Sequence, residues 1–363
     1  MARTSLWIGI DAGADEMSMC ATDDRGAVMF EHCCVTKAKA VHELLKRERR
    51  RIELIGLESG SSGTGLTRAL RKLGYPVAVF EARQASKFLS IRRNKTDKND
   101  AKGLADLARL ARESVSEVRV KSPECQRMRS TLIMRQKLVQ LRVTMEGALR
   151  SLISLNGGKL KSSSSARSFE KNVRSEIDRL RKVEKVDLRE DTAPLIALSV
   201  ATRGYVEMLD NRLRREADAN AVCRRFMDIP GVGPLTALSL VSAIEDPHRF
   251  RRSADVGAYF GLVPTVRESG QLRTKRRISK AGDKLTRTLL ATAAQQHMRW
   301  ADTAISTWAK GLSSRLQKKG VQTAVARKLA VTMVAMWKAE KAYEPYPNLG
   351  RGRVITADTN LAS

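Results

Sequence analysis

Two acidic residues follow predicted strands that are far apart in the chain. Asp11 comes directly after the apolar run 6–10, and Glu58 comes directly after the apolar run 54–57. Short apolar runs bounded by polar or turn residues are typical of buried strands. Side chains at the ends of neighbouring parallel strands meet at one edge of a sheet. We therefore expect these two carboxylates to lie close together.

Two further acidic residues open a predicted helix. The segment 96–101 reads Thr-Asp-Lys-Asn-Asp-Ala, and leucines at helical spacing continue to residue 110. Asp97 and Asp100 are three residues apart, which places them on one face of a helix. Each also has an ordinary structural interpretation, Asp97 as the capping residue and Asp100 as a partner of the helix dipole. The combination with Asp11 and Glu58 is what favours catalysis.

Four carboxylates that converge repel one another unless cations neutralise them. Mg²⁺ and Mn²⁺ prefer oxygen ligands, and two such ions can hold the attacking and leaving oxygens of a phosphodiester. We expect the four residues to bind two ions, either Mg²⁺ or Mn²⁺. Zinc and disulfides are not indicated, because the five cysteines contain no Cys-x-x-Cys pair and the four histidines are scattered.

The N-terminal third predicts an α/β fold. Three short antiparallel strands are expected within residues 6–36, followed by alternating helices and strands at 41–50, 52–57, 66–73 and 77–80.

A helical region is expected from about residue 123 to residue 221. Apolar residues such as Met134, Leu138 and Leu141 recur there at three- and four-residue spacing, and glycines and serines at 156–165 interrupt the pattern. The pattern indicates a long helical hairpin or a coiled-coil arm whose faces could pair two copies.

The charge of the chain indicates a polyanionic partner. Lysine and arginine number 67 against 39 acidic residues, a formal net charge of +28 spread along 363 residues. Such a charge attracts nucleic acid. No stretch has the length and apolar character of a membrane span, and the N-terminus does not resemble a secretory signal. We expect no membrane partner and a cytoplasmic, nucleoid-associated prokaryotic protein.

A Pro-Gly turn joins two predicted helices in the C-terminal half. Residues 228–234 read Asp-Ile-Pro-Gly-Val-Gly-Pro and precede an apolar helix at 235–244. This resembles a helix-hairpin-helix, in which the amides of Gly231 and Gly233 would face DNA phosphate. The purely structural alternative is a simple turn between helices. Basic residues that follow are candidate phosphate contacts: Arg249, Arg251, Arg252, Arg267, Arg273, Lys275, Arg276, Arg277 and Lys280.

Several motifs in order resemble one known family. They are the Thr96–Ala101 segment, the Pro-Gly-Val-Gly turn, Phe-Gly-Leu-Val-Pro at 260–264, Glu-Ser-Gly at 268–270, and Ile-Ser-Lys-Ala-Gly at 278–282. Together they resemble the DEDD-type insertion-sequence transposases of family one-ten, relatives of the Piv DNA invertase. The carboxylate order also resembles that of ribonuclease H-like Holliday-junction resolvases.

The resemblance implies a fold class and a division of the chain. Residues 1–115 would form an α/β ribonuclease H-like (RuvC-like) catalytic domain, and 116–222 an α-helical coiled-coil arm for dimerisation. Residues 223–342 would form a mainly α transposase domain with the helix-hairpin-helix, and 343–363 a tail.

The resemblance also implies a serine nucleophile. In that family a Ser-Gly serine forms a covalent link to DNA, and Ser269 is the match, which would leave a 5′-phosphoserine intermediate. Ser279 is the competing candidate, although its place ahead of a predicted helix also suits a cap. Bound metals beside Arg267 or Lys275 could activate the hydroxyl.

The resemblance finally implies partners. Target and donor DNA would be joined by a structured bridge RNA as guide, and homodimers or homotetramers would combine one subunit's carboxylates with another's serine. Three alternatives stay open on the residues alone: a junction-resolving nuclease, a guide-free site-specific invertase, and a DNA-binding protein without catalysis.

Overall fold

The computed structural model describes residues 5–90, 96–110, 115, 117–163, 165–269 and 272–346; for residue 61 and for 266–269 and 272–276 it describes the backbone alone. The chain divides into two compact units, residues 1–121 and residues 122–363. Neither unit has, in its described part, a helix long and apolar enough to cross a membrane.

The first unit is built on a mixed sheet. Its described strands, given in chain order, are β1 (Leu6–Ala12), β2 (Glu16–Thr22), β3 (Val28–Val35), β4 (Ile52–Glu58) and β5 (Val77–Phe80). The first three form an antiparallel meander, whereas β4 pairs parallel to β1 and β5 pairs parallel to β4. The order across the sheet is β3-β2-β1-β4-β5. The predicted meander and the predicted alternation of helices and strands are confirmed.

Helices cover both faces of this sheet. They are α1 (Ala38–Leu45), α2 (Ser61–Lys72), α3 (Ala82–Leu89) and α4 (Asp97–Leu110). Strand residues such as Ile8, Ile55 and Leu57 form one core with Leu45 of α1 and Leu70 of α2. A mixed sheet covered by helices fits the ribonuclease H-like fold that the motifs predicted.

A second core lies on the opposite face of the same sheet. There Leu54 and Phe80 pack with Leu104 and Leu107 of α4. Helix α3 was not predicted, and helix α1 lies at residues 38–45 rather than at 41–50.

Two glycines let α4 lie directly on the sheet. A Cβ added to Gly9 in β1 would stand 1.9 Å from the Ala101 carbonyl oxygen and 2.3 Å from the Ala105 nitrogen. A Cβ on Gly56 in β4 would stand 3.0 Å from the Leu104 carbonyl oxygen. Contacts this short exclude any side chain, so these positions set how close the helix comes to the strands.

The second unit begins with three helices. They are α5 (Pro123–Leu155), α6 (Ala166–Val183) and α7 (Arg189–Ala219). Helix α5 packs along α7, and α6 packs against α7. Leu149 and Ile153 of α5 share a core with Phe169 and Ile177 of α6 and with Ile196 of α7. The predicted helical hairpin and the predicted break at 156–165 are confirmed, and α6 lies within the connection.

The rest of the second unit is mainly helical. Its elements are α8 (Ala221–Met227), α9 (Pro234–Ile244), α10 (Val256–Tyr259), β6 (Pro264–Ser269), β7 (Leu272–Ile278), α11 (Lys284–Trp300), α12 (Ala304–Leu312) and α13 (Lys318–Ala339). Strands β6 and β7 form an antiparallel hairpin that the sequence did not predict. Met128 of α5 and Leu213 of α7 share one hydrophobic core with these C-terminal helices. The predicted arm and the predicted C-terminal domain therefore belong to one compact unit.

Candidate active site

Asp11 and Glu58 lie at the same level on two hydrogen-bonded strands. Strands β1 and β4 pair in register up to Ile10 and Leu57, and the two carboxylates are the next residues. Gly9 and Gly56, two residues earlier, both contact α4. Because alternate residues of a strand face the same side, both carboxylates are on the face that α4 covers. The two strand carboxylates converge as predicted.

Helix α4 runs antiparallel to β1, so its first turn lies towards Asp11. Near the other end, Arg109 donates a hydrogen bond to the carbonyl of Asp24. The Asp24 carboxylate accepts from the indole of Trp7, near the start of β1. Ala101 lies over Gly9, as described above. At about 1.5 Å per helical residue and 3.3 Å per strand residue, one turn before Ala101 reaches the level of Asp11.

Thr96 caps this helix. Its hydroxyl accepts from the amide of Asn99 at 3.2 Å, and its carbonyl accepts from the amide of Asp100 at 2.9 Å. The interpretation of Asp97 as the capping residue is therefore wrong. Because Thr96 makes the cap, neither carboxylate takes part in it. Asp97 is exposed and Asp100 is half-buried.

The carboxylates do not form a closed metal site. Within the part of the chain that the structure describes, no three His, Cys, Asp or Glu side chains lie close enough together to hold a metal ion. The donor set nevertheless suits a hard divalent cation, since Asp11, Glu58, Asp97 and Asp100 all offer carboxylate oxygens. Coordination by three or more of them requires rotation of side chains or a shift of the first turn of α4.

A small cavity lies beside α4. Its volume is about 140 Å³, and its lining includes Ser18 and Cys33 of the meander and Lys98 of α4. Ser18 is the strand partner of Asp11. Lys98 therefore brings a cationic side chain to the strand next to Asp11. Lys98 was not among the residues predicted from the sequence, although its place between Asp97 and Asp100 is visible in the motif.

The Pro-Gly turn joins α8 to α9, as predicted. A Cβ on Gly231, whose φ is +88°, would stand 2.7 Å from the Ala293 carbonyl oxygen of α11. Nδ1 of His297 lies 2.7 Å from the Pro230 carbonyl oxygen, and Nε2 lies 2.8 Å from the Thr303 hydroxyl. Burial lowers the pKa of His297, and the bond to Pro230 opposes this. A neutral imidazole thus fixes the turn on α11.

The turn also leaves donors for a ligand. No backbone carbonyl among the described residues accepts from the amides of Gly231 or Gly233. Gly233 precedes the first residue of α9, where a helix presents the positive end of its dipole. Two helices joined by a short turn are present, and the helix-hairpin-helix and phosphate binding by these amides stay predictions.

The predicted basic residues have different surroundings. The Arg249 guanidinium stacks 4.9 Å from the centre of the Tyr259 ring, and Arg252 pairs with Asp255 at 3.1 Å. Arg251, Arg277 and Lys280 are exposed. The side chains of Arg267, Arg273, Lys275 and Arg276 lie outside the described part of the structure.

The two candidate serines differ in position. Ser269 is the last residue of β6 and pairs with Leu272 of β7, and its side chain lies outside the described part. Ser279 follows β7; its amide donates to the Val263 carbonyl and its hydroxyl accepts from the amide of Ala281 at 3.4 Å. Ser279 does not cap α11, because Asp283 does so through the amide of Thr286.

Two glycines bring the segments before β6 and after β7 into close backbone contact. A Cβ on Gly261 would stand 2.3 Å from the Ala281 nitrogen, and a Cβ on Gly282 would stand 2.0 Å from the Tyr259 carbonyl oxygen. Arg287 of α11 donates to the carbonyls of Phe260 and Ala281, at 3.0 and 2.8 Å. Arg287 could not be predicted from the sequence, because nothing in its spacing marks it. These contacts fix the segments on either side of the hairpin.

Asp283, which caps α11, also contacts α5. Its carboxylate forms an ion pair with Arg129. Burial alone would raise the pKa of Asp283, but the Arg129 guanidinium and the amide of Thr286 outweigh burial and lower it. The carboxylate therefore stays ionised while it caps α11.

Two family models match the chain. One, described as the transposase IS116/IS110/IS902 family, matches residues 223–309. The other, a DEDD transposase model of IS110, matches residues 8–155. The second match includes all four carboxylates, and the first includes the Pro-Gly turn, the β6–β7 hairpin and both serines.

Two curated proteins are similar along most of the chain. One is the transposase for the insertion sequence element IS1111A of Coxiella burnetii, 28% identical over 343 residues, which cover 93% of this chain and 90% of the relative. The other is the transposase for the insertion sequence element IS1328 of Yersinia enterocolitica, 25% identical over 346 residues, with coverage of 89% and 94%.

Proposed function

We propose that this chain is an insertion-sequence transposase of the IS116/IS110/IS902 family, since two models of such transposases match it at residues 8–155 and 223–309. It would cut and rejoin DNA with the carboxylates Asp11, Glu58, Asp97 and Asp100 and with Ser269 as nucleophile. The observation that carries this proposal is the convergence of Asp11 and Glu58 at one level on the α4 face. Residues from distant parts of the chain meet there, as a phosphodiester site requires.

The four carboxylates would hold two divalent ions, Mg²⁺ or Mn²⁺. When bound, the ions would stabilise the charge that develops on the attacking and leaving oxygens. The first turn of α4 supports this role, because Thr96 caps the helix and leaves both aspartates for ligands.

Ser269 would attack the phosphorus through its hydroxyl oxygen. The bond from phosphorus to the 3′ oxygen breaks, the serine proton passes to a base or to water, and the 3′ oxygen takes up a proton from water and leaves as a hydroxyl. A 5′-phosphoserine link results. Attack by a 3′ hydroxyl of a second strand reverses these steps, so rejoining needs no other energy source.

The decisive experiment traps this link. Labelled DNA carrying the element ends is incubated with Mg²⁺ and separated under denaturing conditions. We expect a protein–DNA adduct that maps to Ser269, is absent in Ser269→Ala and persists in Ser279→Ala, the matched control. Free cut ends without an adduct would instead indicate a hydrolytic nuclease, and an adduct at Ser279 would reassign the nucleophile.

The carboxylates are tested in the same assay. We expect Asp11→Asn and Asp100→Asn to reduce cleavage and adduct formation to background, because each removes a negatively charged ligand. Asp106→Asn is the control, since this residue of α4 pairs with Arg109 on the same helix. Normal cleavage by Asp11→Asn would contradict the metal role.

The Pro-Gly turn and the basic residues would position DNA by its phosphates. Support comes from the amides of Gly231 and Gly233 and from the exposed Arg251, Arg277 and Lys280. Phosphate contacts carry no sequence information, so duplex affinity should fall steeply with salt for any DNA sequence.

A bridge RNA would supply the guide, as resemblance to the family implies. The net charge of +28 supports binding of a second polyanion. Sequencing of RNA that copurifies with the protein tests this: one structured transcript from the flank of the element supports a guide. Recovery of bulk cellular RNA alone would favour a guide-free invertase.

Copies of the chain would assemble as dimers or tetramers through the arm. Met134 and Leu141 of α5 are seven residues apart and 59% and 56% exposed, and Leu198 and Tyr205 of α7 repeat that spacing at 56% and 58% exposed. Apolar residues at a heptad interval form one stripe on a helix, which is the pattern of a coiled-coil seam.

A further inference from the structure

Two tryptophans of the C-terminal helices are exposed. Trp300, the last residue of α11, is 72% exposed, and Trp308 of α12 is 39% exposed. Tryptophan is large and apolar, so a folded chain usually buries it at least in part. The proposed function, which uses the carboxylates, Ser269, the Pro-Gly turn and the basic residues, involves neither ring.

The Trp300 ring is held in one orientation. Its indole nitrogen donates to the Gln296 side-chain oxygen at 3.0 Å, one turn earlier on α11. The Arg299 guanidinium lies 4.7 Å from the ring centre. An aromatic ring that is exposed and already oriented loses little conformational freedom when a flat ligand stacks on it.

A lysine stands near the second ring. The ammonium of Lys328 in α13 lies 5.9 Å from the centre of the Trp308 ring. Each exposed tryptophan thus has a cation next to its face.

The charge around these rings is strongly positive. From residue 284 to residue 339 the chain has ten lysines and arginines and a single acidic residue, Asp302. Arg299, Lys310, Arg315 and Lys328 are exposed. In the described part of the structure, none of the basic residues in this range forms an ion pair with a carboxylate. The charge of the four exposed residues is therefore available to an anionic partner.

We propose that Trp300 with Arg299, and Trp308 with Lys328, are stacking platforms for unpaired bases of the DNA that the enzyme exchanges. Aromatic faces beside cations bind single strands, because every unpaired base offers a flat face and every nucleotide a phosphate. In a duplex the base faces are stacked on one another and cannot reach an indole. Strand exchange unpairs bases, and this inference rests on the proposed function for that reason.

The test measures binding of full-length protein to labelled oligothymidylate of about 20 nucleotides, longer than a site of roughly 4–16 nucleotides. A duplex and an oligouridylate of the same length are measured in parallel. We expect Trp300→Ala to bind oligothymidylate about tenfold more weakly, and Trp300→Phe to stay within about threefold of the wild type, since a phenyl ring still stacks. Trp308→Ala should also bind oligothymidylate more weakly than the wild type does.

Two controls separate stacking from general effects. Leu155→Ala removes an apolar side chain of α5 that is 81% exposed, and should bind every probe as the wild type does. In Trp300→Ala the slope of affinity against salt should be unchanged, because the ring releases no counterions. The melting temperature should also be unchanged, since the ring is exposed.

Several results would overturn the inference. The first is an unchanged affinity of Trp300→Ala for oligothymidylate, and the second is an equal loss of affinity for the duplex. The third is wild-type protein that binds oligouridylate more tightly than oligothymidylate and loses that preference in Trp300→Ala. The fourth is a change in the oligomeric mass of Trp300→Ala. The last would show that a second copy covers the ring. Failure of the proposed function is seen elsewhere: wild-type protein that binds oligothymidylate through Trp300 but never cleaves element-end DNA would contradict the transposase chemistry and leave the stacking intact.

Discussion

At the scale of the residue, Gly9 decides where the first turn of α4 lies. Its missing side chain lets the backbone of Ala101 and Ala105 come into contact with β1. Asp97 and Asp100 begin the same helix. The position of a glycine in a strand therefore controls the distance between the helix carboxylates and Asp11.

Substitution of Gly9 tests this control. We expect Gly9→Ala to destabilise the first unit by about 3 kcal/mol or more, because the new methyl overlaps backbone atoms that cannot rotate away. Cleavage should fall as well, since α4 must move. Gly65→Ala is the matched control: Gly65 lies in α2 with nothing within 4 Å of an added Cβ. It should stabilise by about 1 kcal/mol. Equal melting curves for the two variants would contradict the argument.

His297 makes the Pro-Gly turn sensitive to acid. Unfolded chains bind a proton on histidine near pH 6.5, whereas burial lowers the folded-state pKa below that value. The unfolded state therefore binds more protons in the window below pH 6.5, and stability declines as the pH falls through it.

The expected result is a slope of up to about 1.4 kcal/mol per pH unit in that window for this one proton. Urea unfolding at several pH values measures it. His297→Asn, which keeps a donor towards Pro230 but no titrating group, should be less stable than the wild type at pH 7 and should lose this part of the slope. The same slope in both proteins would contradict the assignment.

At the scale of the element, one buried ion pair joins three helices. The Arg203 guanidinium of α7 donates to the Glu146 carboxylate of α5 at 2.7 Å, and both side chains are buried. The same guanidinium stacks 4.7 Å from the ring of Phe169 in α6. Burial of two charges is unfavourable unless both are paired, so loss of either partner would leave the other charge buried between the helices.

Removal of one partner tests the pair. We expect Glu146→Gln to destabilise the second unit by about 3 kcal/mol, because it leaves the Arg203 charge buried without its counter-ion. Glu170→Gln is the control. Glu170 pairs with Arg174 one turn away on the surface of α6, at 38% and 61% side-chain exposure. Loss of this ion pair should destabilise the second unit by at most about 0.5 kcal/mol. Thermal unfolding compares the two.

At the scale of the whole molecule, the proposed assembly would depend on the arm residues at heptad spacing. We expect Leu141→Glu combined with Tyr205→Glu to yield monomers, since each change places a charge in the proposed seam. Light scattering after gel filtration measures the mass. Val183→Glu, at a residue of α6 that is 62% exposed, is the control and should leave the mass unchanged. Monomeric wild-type protein would contradict the assembly.

Much of the architecture could be predicted from local patterns. Short apolar runs marked β1, β4 and β5, because strands buried on both faces are apolar throughout. Apolar residues at helical spacing marked α4 and the long arm helices, because the buried face of a helix repeats with its period. Helix α3 was missed, since its eight residues carry a single fully buried side chain, Ala85. The β6–β7 hairpin was missed because its strands are polar and basic and show no apolar alternation.

The types of the candidate site residues followed from the sequence, but their mutual placement did not. Carboxylates at strand ends and at a helix start are visible in one dimension, and they indicate metal-ion chemistry. That Asp11 and Glu58 share a level and a face depends on the pairing of β1 with β4, which joins residues more than forty positions apart. That Arg287 and His297 fix the C-terminal turns likewise depends on contacts between segments far apart in the chain. Such contacts form only when the chain closes on itself, so no local pattern contains them.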